Sequence, residues 1–169
     1  MHTVVLLDED GALLRPALMW NDLRTREYIA PLKRELARRN TLSARHIAGI
    51  LSTGSPAANL FWLKENEPEV FSRLYKFLIG PDYIVYRLTG VMGTDFCEAS
   101  TSSLYDIYAR QWSEDMREIL GLPLHIYPSV RGSAEIAGRL KDDIAGELGL
   151  PLDISVLVGT GDNPAAAIS

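Results

Sequence analysis

Cysteine is almost missing from this 169-residue sequence: Cys97 stands alone. That excludes an internal disulfide framework and a cysteine-based zinc site, and it fits a reducing compartment. Histidine is nearly as scarce, and His2, His46 and His125 show no metal-ligand spacing, so no side-chain metal site is expected. None of the four lysines, Lys33, Lys64, Lys76 and Lys141, follows a glycine, and without Gly-x-x-x-x-Gly-Lys-Ser/Thr there is no P-loop. No apolar run approaches the roughly eighteen residues of a membrane span, and no charged start leads into an apolar stretch like a signal peptide. A cytoplasmic protein with no membrane partner is expected. Cationic excess is absent too: net charge −5 and a pI near 5.2 argue against a nucleic-acid surface. The basic run Lys33, Arg34, Arg38, Arg39 and Arg45 reads as a solvated helix face.

What is present suits one compact core, with 47% apolar residues and no disordered bias. Thr3 to Leu7 reads as a strand, Asp8 to Gly11 as an acidic turn, and Leu13 to Trp20 as the returning arm of a hairpin. Asn21 or Asp22 then caps a helix carrying Leu23, Leu32 and Leu36, which Pro31 should kink or split before Asn40 ends it. A short helix over 41–51 and a loop from Ser52 to Pro56 lead to an aromatic patch around Phe61 and Trp62 that reads as core. Pro68 and Pro81 each start a helix, and Gly90 closes the second. Beyond a polar segment from Thr94 to Ser103, Leu104 to Tyr108 reads as a strand. Ser113 caps a helix ending at Gly121, Ile136 to Leu140 is another strand, and Lys141 to Leu148 a last amphipathic helix. The sum is mixed α/β with no linker.

The ending carries the most chemistry. Ile154 to Val158 reads as a short buried strand, Gly159 and Gly161 allow a sharp turn, and Asp162 stands at the strand tip. Asn163 as N-cap and Pro164 as first helical residue would start a helix directly behind that acid. A carboxylate so placed can take a proton from a substrate hydroxyl while a phosphoryl group approaches. An isolated Gly-x-Gly-Asp-Asn is more often a plain helix cap. A dinucleotide fingerprint is a poor alternative, since Pro164 occupies its third glycine position.

Five motifs occur together in order. They are Met1-His2, Trp20-Asn21-Asp22-Leu23-Arg24, Gly54-Ser55-Pro56 followed by Leu60 to Asn66, Thr94-Asp95 with Ala99-Ser100, and Gly161-Asp162-Asn163. With Pro81-Asp82-Tyr83 and Tyr86 to Gly90 between them, the whole chain resembles the FGGY carbohydrate kinases. Within that family the Met-His start, Trp-Asn-Asp-x-Arg and the final Gly-Asp-Asn are most similar to the xylulokinases. The resemblance implies a ribonuclease-H-like, actin-type ATPase fold of the α/β class. It also implies that Asp162 is the catalytic base that deprotonates a sugar hydroxyl, with Asn163, His2 and Trp20 binding the substrate and Trp20 as an aromatic wall against sugar C–H groups. Asp95 and Ser100 match a motif near the domain core and read equally as turn and capping residues. Departures stand at Asn59, where the family usually has lysine, and at Thr101-Ser102, where it often has Gly-Thr.

The family also has an opening Asp-x-Gly-Thr turn for phosphate and Mg²⁺ and a second domain holding most of the ATP site, and neither motif is found here. The expectation is a partial N-terminal sugar-binding domain over 1–169 with an incomplete sheet, no cofactor-binding or metal residues of its own, and ATP and Mg²⁺ engaged elsewhere in a longer enzyme. On that reading the complete enzyme phosphorylates a ketopentose, D-xylulose first, while this chain alone is inactive and self-associates through exposed sheet edges. The alternatives are a non-catalytic sugar-binding module, or a kinase of the family for glycerol, gluconate or ribulose.

Overall fold

The computed structural model describes residues 1–168; Ser169, the last residue of the strand-turn-helix reading, lies outside the described residues. Four consecutive apolar residues form strand β1 (Val4–Leu7), and all four are buried, which requires cover on both faces. β1 pairs antiparallel with β2 (Lys76–Ile79), Val4 opposite Ile79 and Leu7 opposite Lys76. Alternation then sorts the side chains between two faces. Val4, Leu6 and Phe77 point into the main core, whereas Val5, Leu7 and Leu78 pack against Tyr83, Tyr86 and Met92.

On the main-core side lie helices α1 (Arg26–Arg39), α2 (Leu42–Ile50), α3 (Pro56–Asn66) and α7 (Glu114–Leu120). Each contributes residues at helical spacing, namely Leu32 and Leu36, Ala44 and Ile47, Leu60 and Leu63, Met116 and Leu120. Phe77 meets Trp112 and Tyr127 edge-on, with ring centroids 5.8 and 5.3 Å away. The opposite side of the ribbon is covered by α5 (Gly80–Thr89). Its N-cap is built by Asp82, whose Oδ2 accepts the Ile79 N–H at 3.0 Å.

A short helix α4 (Pro68–Ser72) precedes β2. After α5 come β3 (Gly93–Asp95), α6 (Phe96–Thr101), and the hairpin of β4 (Tyr105–Asp106) and β5 (Gln111–Trp112). β6 (Ser129–Arg131) runs parallel to β3, β7 (Ile136–Arg139) pairs antiparallel with β8 (Ser155–Leu157) across α8 (Asp142–Leu148), and α9 (Asp162–Ile168) closes the described chain. Among the described residues the strands form four two-stranded sheets.

Several sequence expectations change. The returning arm of the first hairpin is reduced to two bridges, Leu7 to Leu13 and Val4 to Leu18, because Pro16 between them has no N–H for a ladder. The α1 cap is Thr25 rather than Asn21 or Asp22, and its side chain makes no capping bond. Pro31 neither splits nor ends α1, which runs unbroken to the left-handed cap at Asn40. At that position only the carbonyl four residues back loses its partner. β2 is not among the expected strands, since a three-residue apolar run, Phe77 to Ile79, abutting Gly80-Pro81 has no periodicity to separate strand from helix. The α7 boundaries fall where expected, with the Ser113 hydroxyl accepting the Met116 N–H and Gly121 left-handed.

Phe77→Ala should cost about 3–5 kcal/mol, the range for emptying a buried aromatic site, read as a lower urea midpoint with unchanged slope. Asp82 generates a pH prediction. Burial first, then the Glu98 and Asp95 charges, push its carboxyl from 3.8 up to about 8. The folded value is raised, so the stability it contributes is full below about pH 4 and is lost as pH rises to about 8. Thermal unfolding between pH 5 and 8.5 should show wild type losing roughly 5 °C more than Asp82→Asn; parallel curves would contradict it.

Candidate functional site

The two ends of the described chain meet. After β8 the backbone keeps pairing irregularly, Val158 N–H to Glu135 O at 2.9 Å and Gly159 N–H to Ser133 O at 3.0 Å. Gly159 then turns with φ +78°. Gly161 is needed for a different reason, because a Cβ there would stand 2.7 Å from Glu98 Oε1 and 2.9 Å from Met1 Cγ. Its carbonyl accepts the Ala165 N–H at 3.0 Å and so begins α9.

This corrects three expectations. The strand is not buried, since Leu157 is 50% exposed and only Val158 beyond it is enclosed. Asp162 is not at its tip, because β8 ends at Leu157. Asn163 is not the N-cap and Pro164 not the first helical residue, since α9 starts at Asp162. Pro164 in the third helical position still falls where a backbone N–H would have no intrahelical partner. Asp162 is exposed, and its Oδ1 accepts the Asn163 N–H at 3.0 Å.

Against this turn lies His2, in the left-handed region at φ +60°. Its Nδ1 is buried without a hydrogen-bond partner. Burial first, then the nearby chain amino group, hold the imidazole below its usual value, opposed by the charge of Asp162. His2 is therefore neutral near pH 7, with a ring nitrogen free to bond a hydroxyl. Asn163 Nδ2 reaches Met1 Sδ at 3.7 Å. Thus Asp162, Asn163 and His2 share one place.

Trp20 is held differently. Gly54, at φ +77°, packs so closely on the Trp20 carbonyl that a Cβ would stand 1.9 Å from it. Gly54 is fixed in turn by its N–H to Thr25 Oγ1 at 3.0 Å and by Asn59 Nδ2 to its carbonyl at 3.1 Å. Asn59 is thus a buried loop anchor. Trp20 is 59% exposed. Beside it Arg24 pairs with Asp22 at 2.7 Å and lies 4.6 Å from the Trp62 ring centroid, docking Trp-Asn-Asp-x-Arg onto α3. Trp62 is accordingly half-buried rather than core.

A cavity of about 390 Å³ is lined by His2, His46, Ile50, Ser52, Ser100, Thr101 and Ile107. Of the expected site residues it takes His2 and not Trp20, Asp162 or Asn163. A larger cavity of about 710 Å³ lies among Phe96, Trp112 and Tyr127 and takes none of the four, so size does not locate this site.

Asp95 caps α6, its Oδ1 accepting the Glu98 N–H at 2.8 Å and its Oδ2 the Ser133 hydroxyl at 2.8 Å. Glu98 is the residue that sequence reasoning missed. It is 0% exposed, and neither carboxyl oxygen has a partner in hydrogen-bond geometry. Burial above all, then Asp95 and Asp162, push its pKa up, while the chain amino group and the His2 backbone N–H pull it down. The available signal was Asp95-x-x-Glu98, a capping-box spacing, of which only the Asp95 half forms. Cys97 is half-buried, with its thiol near Thr160 and Gly161.

Among the described residues no group of three or more His, Cys, Asp or Glu side chains could hold a metal ion. No described helix is long and apolar enough to cross a membrane.

Comparison with known proteins places this arrangement. Residues 1–169 match the FGGY family of carbohydrate kinases, N-terminal domain. A xylulose kinase of Lactococcus lactis is 34% identical over 168 residues, covering 99% of this chain and 33% of that protein. L-fuculokinase of Escherichia coli K12 is 32% identical over 165 residues, covering 95% and 34%. The crystal structure of a xylulose kinase from Brucella ovis superposes with TM-score 0.85 at 34% identity, covering 98% of this chain and 33% of that one. The chain therefore spans about a third of the length of the relatives it matches. The actin-like ATPase fold expected from the motifs is the fold found, and the chain belongs to the FGGY family of carbohydrate kinases.

Proposed function

We propose that this chain is the sugar-binding part of a cytoplasmic enzyme that transfers the γ-phosphoryl group of ATP to a ketose hydroxyl, D-xylulose being the leading substrate. The observation that carries the reading is the meeting of the Met1-His2 segment with Asp162 and Asn163 across nearly the whole chain, Asn163 Nδ2 reaching Met1 Sδ and the Asp162 charge acting on His2. Asp162, exposed at the start of α9, is free to accept the proton of the attacking hydroxyl. Asn163 and the neutral His2 bond neighbouring hydroxyls, and the exposed indole of Trp20 offers a face to the C–H side of a sugar.

ATP with Mg²⁺ would supply the phosphoryl group and neutralise its charge. Among the described residues no group of three or more His, Cys, Asp or Glu side chains could hold that ion. The similarity to an L-fuculokinase supports keeping other sugars as second substrates. Self-association belongs to the same reading, because the cross-strand pair Ile136 and Leu157 on β7–β8 is 55% and 50% exposed.

In the complete kinase, Asp162→Asn should lower kcat by about 10²–10⁴-fold with sugar affinity within about threefold. Unchanged turnover would refute the role as base. A substrate panel should give D-xylulose the highest kcat/KM; a preference for fuculose or gluconate would reassign the sugar. The 169-residue chain alone should show a thermal shift with D-xylulose and no phosphorylation of it; phosphorylation by that chain would overturn the division of labour.

A further inference from the structure

Glu98 is fully enclosed, and neither of its oxygens is hydrogen-bonded. A bare charge in such a place is costly, because no donor replaces the water it has lost. Its surroundings are specific. Asp95 fixes the Glu98 backbone through the 2.8 Å cap bond. Gly161, one residue before Asp162, comes so near that any side chain there would collide with Glu98 Oε1. The His2 backbone N–H approaches from the first segment.

We infer that Glu98 is a positioning residue of the sugar site, the carboxyl against which the His2 backbone and the Gly161-Asp162 turn are set, with Asp162 the next residue after the glycine that packs on it. This rests on the proposal that Asp162 is the base. The groups facing Glu98 are Asp95 and Cys97 from its own helix and its cap, Asp82 from α5, His2 and the amino group of Met1 from the first segment, and Asp162 from the last. Asp95, Asp82 and Asp162 are acids, so a proton on Glu98 relieves repulsion along the whole wall. Neutral, Glu98 leaves Asp162 as the exposed negative charge beside the sugar. Ionised, it adds a second negative charge behind the turn.

The direct test is a ¹³C carboxyl titration of this chain. Glu98 should titrate above the ordinary glutamate value of 4.5, and Asp162→Asn should move its inflection down by removing a like charge. An ordinary inflection, or one indifferent to Asp162→Asn, overturns the inference, and this readout does not depend on activity. In the complete kinase, Glu98→Ala should lower kcat/KM about tenfold or more, as a misplaced group does, and Glu98→Gln should recover most of that loss. The pH profile should lose one inflection in Glu98→Gln. A purely structural role predicts lower thermal stability with unchanged kcat/KM at a permissive temperature, which also overturns the inference. Should Glu98→Gln fail to fold, the titrations of wild type and Asp162→Asn decide. An active Asp162→Asn kinase would remove the base assignment while leaving the Glu98 titration to stand or fall separately.

Discussion

Asp95 holds the site's architecture together through two short hydrogen bonds in opposite directions. One oxygen caps α6 through the Glu98 N–H, and the other takes the Ser133 hydroxyl ahead of β7. The first bond fixes the rotation of α6, and with it which way Glu98 points. The second ties β3 to the segment whose Ser133 and Glu135 carbonyls receive Gly159 and Val158. The final turn is thereby registered against the helix that must accommodate Gly161. Losing either bond would leave an acid buried without compensation, which is why both oxygens are used.

The electrostatics follow from the same compaction. Asp82, Asp95 and Glu98 are all nearly inaccessible, and they act on one another. Three acids cannot all be ionised cheaply at such burial. Burial and mutual repulsion push the carboxyls of Asp82 and Glu98 up, while Asp162 stands exposed where a substrate can meet it. His2, neutral because it is partly buried, adds hydrogen-bonding capacity without a competing cation.

Much of this was legible in the sequence where chemistry is local. Ser113 and Gly121 bracket α7 because a hydroxyl cap and a left-handed glycine act within a few residues. The ordered motifs identified the family and brought His2, Asp162 and Asn163 onto one list. What could not be read was tertiary. Leu157 resembles a buried strand residue, yet β8 lies at a surface, and strand pattern alone does not say which face is covered. Asn163 has the right chemistry for a cap, but the Gly161 carbonyl took that place. Glu98 lay hidden because a glutamate three residues after an aspartate normally reaches back to the backbone, and only the approach of Gly161 from the far end of the chain shows that it does not.

The union of His2 with Asp162 and Asn163 has a consequence for the order of synthesis. Met1 and Asn163, in contact at the site, lie 162 positions apart, so a ribosome adding about 5–20 residues per second completes the pair roughly 8–30 s after starting it. Once residues 95–101 have been made, α6 can form and Asp95 can cap it, yet Glu98 has no Gly161 to close over it until the final turn follows. The pocket's acid is sealed only when that turn arrives, so the sugar site matures after the core on which it rests.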